Sequence, residues 1–398
     1  MRINILHMSH FEIRYGAEKQ LLDYLSLAKE TPNEIHHHIC ALRLSDSIRE
    51  ELHKMSFPTL TSKLWPWNLA ELSRFIQKYN IHILHVHNQL RFPLRSRIIP
   101  KLAGIPLILE HEHGMVWNTS STQLIKWTNH LVNANICNSN AAKIMLKQKC
   151  DIDAQVVYNG VLLSTESKEA SINLKSHLNL SSDAPIAGFV GRLNNPKGAE
   201  AFIRMIPLVR NSLPKAKFII VGDGPMRSSL EAEAANLGIR DHVYFLGYQK
   251  NASLLMKQMD VIVVPSFREA FGNVVIEAAL AQKPVIASNV DGLAETVIDG
   301  QTGFLVDCNE PIISRLKGTN RIPKAVIDGR TLEPRAPFLP NTAILAERVI
   351  TCLANPQLAR TLGNNAYARA IQYFSLERYR SDLDTVYRRL ISENQILL

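Results

Sequence analysis

Long apolar runs, clustered cysteines and aromatic side chains are all scarce in this chain. No apolar stretch approaches the roughly 18 residues that a membrane-spanning helix needs. The opening MRINILHMSHFEIRYGAEKQ has an early charge and only a short apolar run, so it reads as a first strand and not as a secretory signal. The five cysteines, Cys40, Cys137, Cys150, Cys308 and Cys352, lie far apart with no CxxC pair, which argues against a disulfide framework or a structural zinc. A reducing cytoplasm is the expected compartment. Aromatics make up 7%, and neither a long Lys/Arg tract nor a zinc-finger spacing is present, so nucleic acid is not an expected partner. A GxGxxG fingerprint is also missing, which weakens a nicotinamide or flavin dehydrogenase reading.

What is present is an ordinary globular balance over 398 residues, 46% hydrophobic and 20% charged, with a formal net charge of +9. That length favours two domains, and the charge favours an anionic partner. Short apolar runs followed by segments of helical period recur from end to end, the grammar of βα units in parallel sheets. Strands are expected at Ile3–Met8, Ile39–Leu44, Ile83–Val86, Leu107–Glu110, Asn135–Asn138 and Gln155–Tyr158. A second series is expected at Ile186–Val190, Phe218–Val221, Val243–Leu246, Val261–Val264, Val285–Ala287 and Phe304–Val306. The fold expected is α/β, two Rossmann-like domains over residues 1–165 and 166–376, facing each other across a cleft. A final amphipathic helix, about 377–398, would pack back on the first domain. A segment with five prolines, about 308–341, reads as an insertion with little periodicity.

The chemistry concentrates in two stretches of the second half. VIVVPSFREAFGNVVIEAALA, Val261 to Ala281, is a buried strand, a short loop and a helix that Asn273 would cap. Glu269 falls in the loop and Glu277 one turn inside the helix, so both can look toward a diphosphate held at the helix start, which Gly272 lets approach. GFVGRLNNPKG, Gly188 to Gly198, places Arg192 just past a strand and Lys197 just before a helix. A planar guanidinium with a mobile ammonium suits a diphosphate leaving group. GDGP, Gly222 to Pro225, gives a tight turn with Asp223 as a cap. Twelve of the fourteen histidines precede residue 165. The pairs His85/His87 and His111/His113 have a metal-compatible spacing, but no carboxylate or cysteine cluster completes a site. The better role for His113 is a hydrogen bond to a sugar hydroxyl or developing charge. Arg91, Arg95, Arg97 and Lys101 crowd one segment at near-helical spacing, read either as a solvated helix face or as a membrane-surface contact.

In order along the chain, Gly16-Ala-Glu18, His113-Gly114, NGV at Asn159 to Val161, RLNNPKG, GDGP, FLGY at Phe245 to Tyr248 and EAFGNVVIEA resemble glycosyltransferase family four, retaining enzymes of the GT-B fold. The likeness covers nearly the whole chain except the proline-rich segment. It implies a nucleotide diphosphate sugar, UDP-linked by expectation, as donor and a saccharide or lipid-linked acceptor, in polysaccharide or lipopolysaccharide synthesis. It also implies Arg192 and Lys197 on the diphosphate, Glu277 on the ribose, Glu269 on the transferred sugar, and backbone groups around Phe271 and Gly272 lining the pocket. Gly16 would let the first loop approach the donor, and His113 would contact the sugar near the reacting carbon. Metal and other cofactors are not expected. Peripheral contact with the inner face of a membrane is a further expectation. A nucleotide-sugar epimerase and a non-catalytic nucleotide-sugar-binding module are the other readings of the same scaffold.

Overall fold

The computed structural model describes residues 2–12, 16–31, 34–114, 122–162, 173–312 and 322–396. The chain divides into two compact units: Met1–Leu162 with Phe374–Leu398, and Leu163–Tyr373. It therefore passes between units twice, and the second unit is inserted into the first.

The first unit is built on β1 (Ile3–Phe11), β2 (Ile35–Leu44), β3 (Thr59–Thr61), β4 (Ile83–His87), β5 (Leu107–Glu112), β6 (Ala134–Cys137) and β7 (Gln155–Val156). They form one sheet in the order β3-β2-β1-β4-β5-β6-β7, and its neighbours pair in parallel. The second unit has β8 (Ile186–Val190), β9 (Lys217–Val221), β10 (Val243–Gly247), β11 (Val261–Val264), β12 (Val285–Ser288) and β13 (Gly303–Val306), in the parallel order β10-β9-β8-β11-β12-β13. Parallel strands covered on both faces read as unbroken apolar runs. That is why IAGFV of β8 and VIVV of β11 are legible to the residue. In each sheet the chain order reverses at one place, between β1 and β4 and between β8 and β11, where open α/β sheets form a crevice at their carboxyl ends.

One face of the first sheet changes chemistry along its strands. Ile3, Ile5, Ile35, Ile83, Leu107 and Leu109 pack into a core with the helix Ala17–Glu30 and the C-terminal helix Leu376–Glu393. Farther along, the positions are taken by His7, His85, His87, His111 and His113, all buried. The C-terminal helix starts at Ser375, whose side chain accepts from Arg378 N, and inserts Tyr379, Leu383, Tyr387 and Leu390 into that core.

Two expectations change. The basic segment is not one solvated face, because Arg97 is fully buried and paired through Nη2 with Glu110 at 2.6 Å. Its Nη1 also donates to Ile125 O and to Thr128 Oγ1. Arg95 instead lies over the Trp65 ring at 4.2 Å. The proline-rich segment contains ordered pairs: Cys308–Glu310 runs antiparallel to Leu339–Pro340, and Val326–Ile327 antiparallel to Pro334–Arg335. Two-stranded pairs have only edges, where a residue lacking N–H is tolerated. Residues 313–321 of this segment, and 163–172 between β7 and β8, lie outside the described residues.

Candidate active site

In the second unit, the loops following β8 and β11 meet at the reversal point. Lys197, in the short turn Asn195–Lys197, makes a direct ion pair with Glu269 of the loop after β11. The two side chains are 31% and 15% exposed, so the pair remains reachable by a ligand. Phe267 N donates to Pro196 O at 3.1 Å and knits the same loops together. Gly198, at φ 65°, makes the approach feasible: a Cβ there would sit 1.9 Å from Pro265 O. The GDGP turn braces the β8 loop from the other side, with Leu193 N donating to Asp223 O and Met226 N to Leu193 O.

The helix Asn273–Leu280 starts from the β11 loop. Its N-cap is Gly272, at φ 98°, and Asn273 is its first residue. The expected Asn cap fails because a left-handed backbone is required at the turn, and glycine adopts it without a Cβ penalty. Similarly, Asp223 does not cap the following helix, whose N-cap is Met226; its Oδ1 accepts from Gly224 N and its Oδ2 pairs with Arg227. Phe271 is buried, Glu277 lies one turn into the helix and is half-buried, and Arg192 is exposed just past β8. Arg192, Lys197, Glu269, Phe271, Gly272 and Glu277 thus all sit on one of two adjacent loops or on the helix that one of them begins.

A residue that sequence reasoning passed over supports this loop. Asp291, at φ 46°, is buried and accepts from Glu269 N at 3.2 Å and Ile327 N at 2.7 Å. Gly292 N returns a bond to Glu269 O at 3.0 Å. Burial pushes the Asp291 carboxyl up to about 7, against the opposing pull of its two backbone donors. The backbone of Glu269 is therefore held on both sides by the turn after β12. The signal in the sequence was the Asp291-Gly292 pair, a dipeptide that marks turns.

In the first unit, Gly16 is exposed, has φ 51°, and starts the helix Ala17–Glu30 as its N-cap. Residues 13–15 lie outside the described residues. His113 is buried and pinned: its N donates to Asn88 Oδ1, its O accepts from Asn138 Nδ2, and its Nε2 lies 3.2 Å from His87 Nδ1. Burial brings its pKa down to about 3, with the side-chain oxygen of Asn159 of the NGV motif acting in the opposite sense. His7 and His37 join the same array, which spacing along single strands does not show. Burial also holds His7, His85, His87 and His111 well below the usual histidine range.

Two groups, His7/His85/His87 and His87/His111/His113, bring three ring nitrogens within 4.8 Å of one another, the distance at which a cation becomes conceivable. Neither contains a carboxylate. The two Asp-X-Asp pairs of the sequence are neutralised locally, Asp151 and Asp153 by Lys147, Asp382 by Arg378 and Asp384 by Arg380.

Comparison with known proteins agrees with this architecture. Residues 24–164 match the family described as Glycosyltransferase Family 4, and residues 171–316 match Glycosyl transferases group 1. An uncharacterized glycosyltransferase of Methanocaldococcus jannaschii is 38% identical over 39% of this chain and 42% of its own length. The UDP-Gal:alpha-D-GlcNAc-diphosphoundecaprenol alpha-1,3-galactosyltransferase of Escherichia coli is 25% identical over 78% of this chain and 85% of its own. Among solved structures, Anabaena HepE in complex with UDP-glucose superposes with a TM-score of 0.76, at 21% identity, over 98% of this chain and 100% of that one. The two family matches follow one another along the chain, one in each unit, the architecture is that of GT-B enzymes, and the chain belongs to glycosyltransferase family four.

Proposed function

We propose that this glycosyltransferase moves a sugar from a UDP-linked donor, with retention, to a hydroxyl of a saccharide or lipid-linked acceptor in polysaccharide or lipopolysaccharide assembly. The observation that carries the donor side is the accessible Lys197–Glu269 pair at the β8/β11 reversal, beside the start of the helix Asn273–Leu280. In this reading Arg192 and Lys197 neutralise the diphosphate as the glycosidic bond breaks, so no divalent ion is required. Lys197 exchanges its bond to Glu269 for a phosphate oxygen, which frees Glu269 to hold the sugar. Glu277 takes the ribose hydroxyls, and backbone N–H groups near Phe271 and Gly272 line the pocket. Gly16 and His113 act from the first unit, on the donor and the sugar. Cations placed where negative charge develops favour the transition state over the ground state.

Support for a UDP donor comes from the UDP-glucose complex of the structural neighbour, and for a lipid-linked acceptor from the printed substrate of the E. coli relative. Exposed Trp67 and Phe92 beside Arg95 fit peripheral contact with a bilayer at the inner membrane face. The test is turnover of UDP-sugars with lipid-linked and free saccharide acceptors, with and without EDTA. Lys197→Ala and Arg192→Ala are each expected to lower kcat/KM by about 2–4 kcal/mol. Wild-type turnover in both variants would overturn the assignment, and product from donor alone would favour an epimerase.

A further inference from the structure

Four of the buried histidines stand in a row held by hydrogen bonds. His37 Nδ1 lies 3.0 Å from His7 Nε2, His7 Nδ1 lies 3.2 Å from His87 Nε2, and His87 Nδ1 lies 3.2 Å from His113 Nε2. The row crosses β2, β1 and β4 and ends just past β5. Every contact joins an Nδ1 to an Nε2. A neutral imidazole carries one N–H and one lone pair, so such a row admits only two arrangements. Either all four rings carry the proton on Nδ1, or all four carry it on Nε2. A ring of the wrong tautomer leaves a buried N–H facing an N–H or a lone pair facing a lone pair, which costs the full desolvation of those atoms.

The His113 end chooses between these arrangements. There the ring's Nδ1 is buried and makes no hydrogen bond among the described residues, while Asn159 acts on the ring in the sense that raises its basicity, as an amide oxygen does and an amide N–H does not. An N–H on Nδ1 suits that oxygen, whereas a lone pair there would face another lone pair. At the His37 end the Arg380 guanidinium disfavours a charged ring and so helps to keep the row neutral. The His113 end selects Nδ1–H.

We infer that His37, His7 and His87 are positioning residues that fix His113 as a neutral Nδ1–H donor. Its Nε2 is occupied by His87, so Nδ1 is the ring atom a ligand can use, an incoming sugar or phosphate oxygen taking the place of the Asn159 oxygen. The stacking disfavours a shared cation in this array. The His111 and His113 rings lie 3.7 Å apart at 30°, so their in-plane lone pairs run side by side instead of converging on one point. His111 stays outside the row, with neither ring nitrogen hydrogen-bonded among the described residues.

The test begins with the full-length protein labelled with 15N-histidine, whose ring resonances distinguish the two neutral tautomers and the cation. All four row histidines are expected in the Nδ1–H form at pH 7.5; a mixture, an Nε2–H majority or a charged ring would overturn the inference. His7→Phe keeps a ring of similar size and cuts the row in the middle. His87 Nε2 then loses the N–H that keeps it an acceptor and only the Asn159 end still favours Nδ1–H, so an Nε2–H fraction should appear in His87 and His113, and kcat should fall about 10- to 100-fold with donor KM little changed, as when an orienting partner is lost. His7→Gln, which can accept and donate, should recover part of that loss. His38→Phe is the control, since His38 lies on β2 against Phe75 and Tyr79, away from the row. Equal kinetic loss in the control would make the effect one of packing. One equivalent of zinc retained by the purified protein and lost in His111→Ala would make the array a metal site instead. The kinetic arm rests on the proposed role of His113, whereas the tautomer arm does not: full activity in His113→Ala with Nδ1–H rings in the wild type would refute that role and leave the row standing.

Discussion

The same sheet reversal carries opposite chemistry in the two units. In the first, the carboxyl ends of β1, β4 and β5 are lined by imidazoles that burial keeps neutral. In the second, the loops after β8 and β11 bring together an ammonium and a carboxylate that remain partly exposed. One end offers directed hydrogen bonds without net charge, and the other offers charge that a diphosphate can rearrange. The difference also sets opposite responses to pH, because a buried base and a buried acid lose stability in opposite directions.

The largest expected effect sharpens the contrast by showing that a charge inside the first unit is structural. Arg97→Ala removes the four hydrogen bonds of a buried guanidinium, two of them to Glu110, and should destabilise the first unit by about 3–5 kcal/mol in urea unfolding. A loss below about 1 kcal/mol would mean that the pair is as dispensable as a surface bridge.

Acid comes next. His37 and His113 have folded-state values near 3 against 6.5 unfolded. Their contribution is therefore complete above pH 6.5 and declines as pH falls toward 3, while the unfolded chain takes up protons that the folded one refuses. Each can remove up to about 1.4 kcal/mol per pH unit, so roughly 2–4 kcal/mol should disappear between pH 7 and 5. The groups packed against the array, Tyr24, Tyr379 and Tyr387, are themselves held neutral by burial and cannot compensate. Fluorescence and hydrogen exchange should show the first unit opening before the second; simultaneous opening would break the comparison.

For the second unit, Gly198→Ala should cost about 2–3 kcal/mol, because a Cβ at this left-handed position meets the Pro265 carbonyl. Calorimetry should place that loss in the second unit alone. The smallest effect has the reverse pH sign. Asp291 binds its proton more tightly folded, at about 7, than unfolded, at 3.8, so its share of stability is complete below the lower value and declines as pH rises to the upper. Comparing wild type with Asp291→Ala across pH 4 to 7 should reveal a drift of roughly 1–3 kcal/mol in that direction; a drift of the other sign would place the carboxylate among stabilising anions.

How much of this was legible depends on sequence distance. The strands of both sheets show because their signal is local, whereas the three-residue edge strand Thr59–Thr61 has no room for a period and escaped notice. The charged loops after β8 and β11 announced themselves because each is contiguous, and strand adjacency then brings them together. The imidazole row did not, since each strand supplies one or two members and only register aligns them; HVH and HEH at two strand ends were the available hint. Arg97 looked like a surface residue because its partner Glu110 is on another element. Residue preference alone points to Asn273 and Asp223 as caps, and backbone dihedrals override it. In the proline-rich stretch, strands of two or three residues carry too few positions for alternation to register.

The position of the helix Leu376–Glu393 has a consequence for synthesis. Tyr379 and Tyr387 roof the histidine face, yet they leave the ribosome only after the whole of Leu163–Tyr373 has been made. The interrupted unit must wait with that face uncovered while the inserted one, continuous in sequence, can already fold. A nascent chain stalled before Phe374 would thus present a finished downstream module and an upstream one still in need of a chaperone.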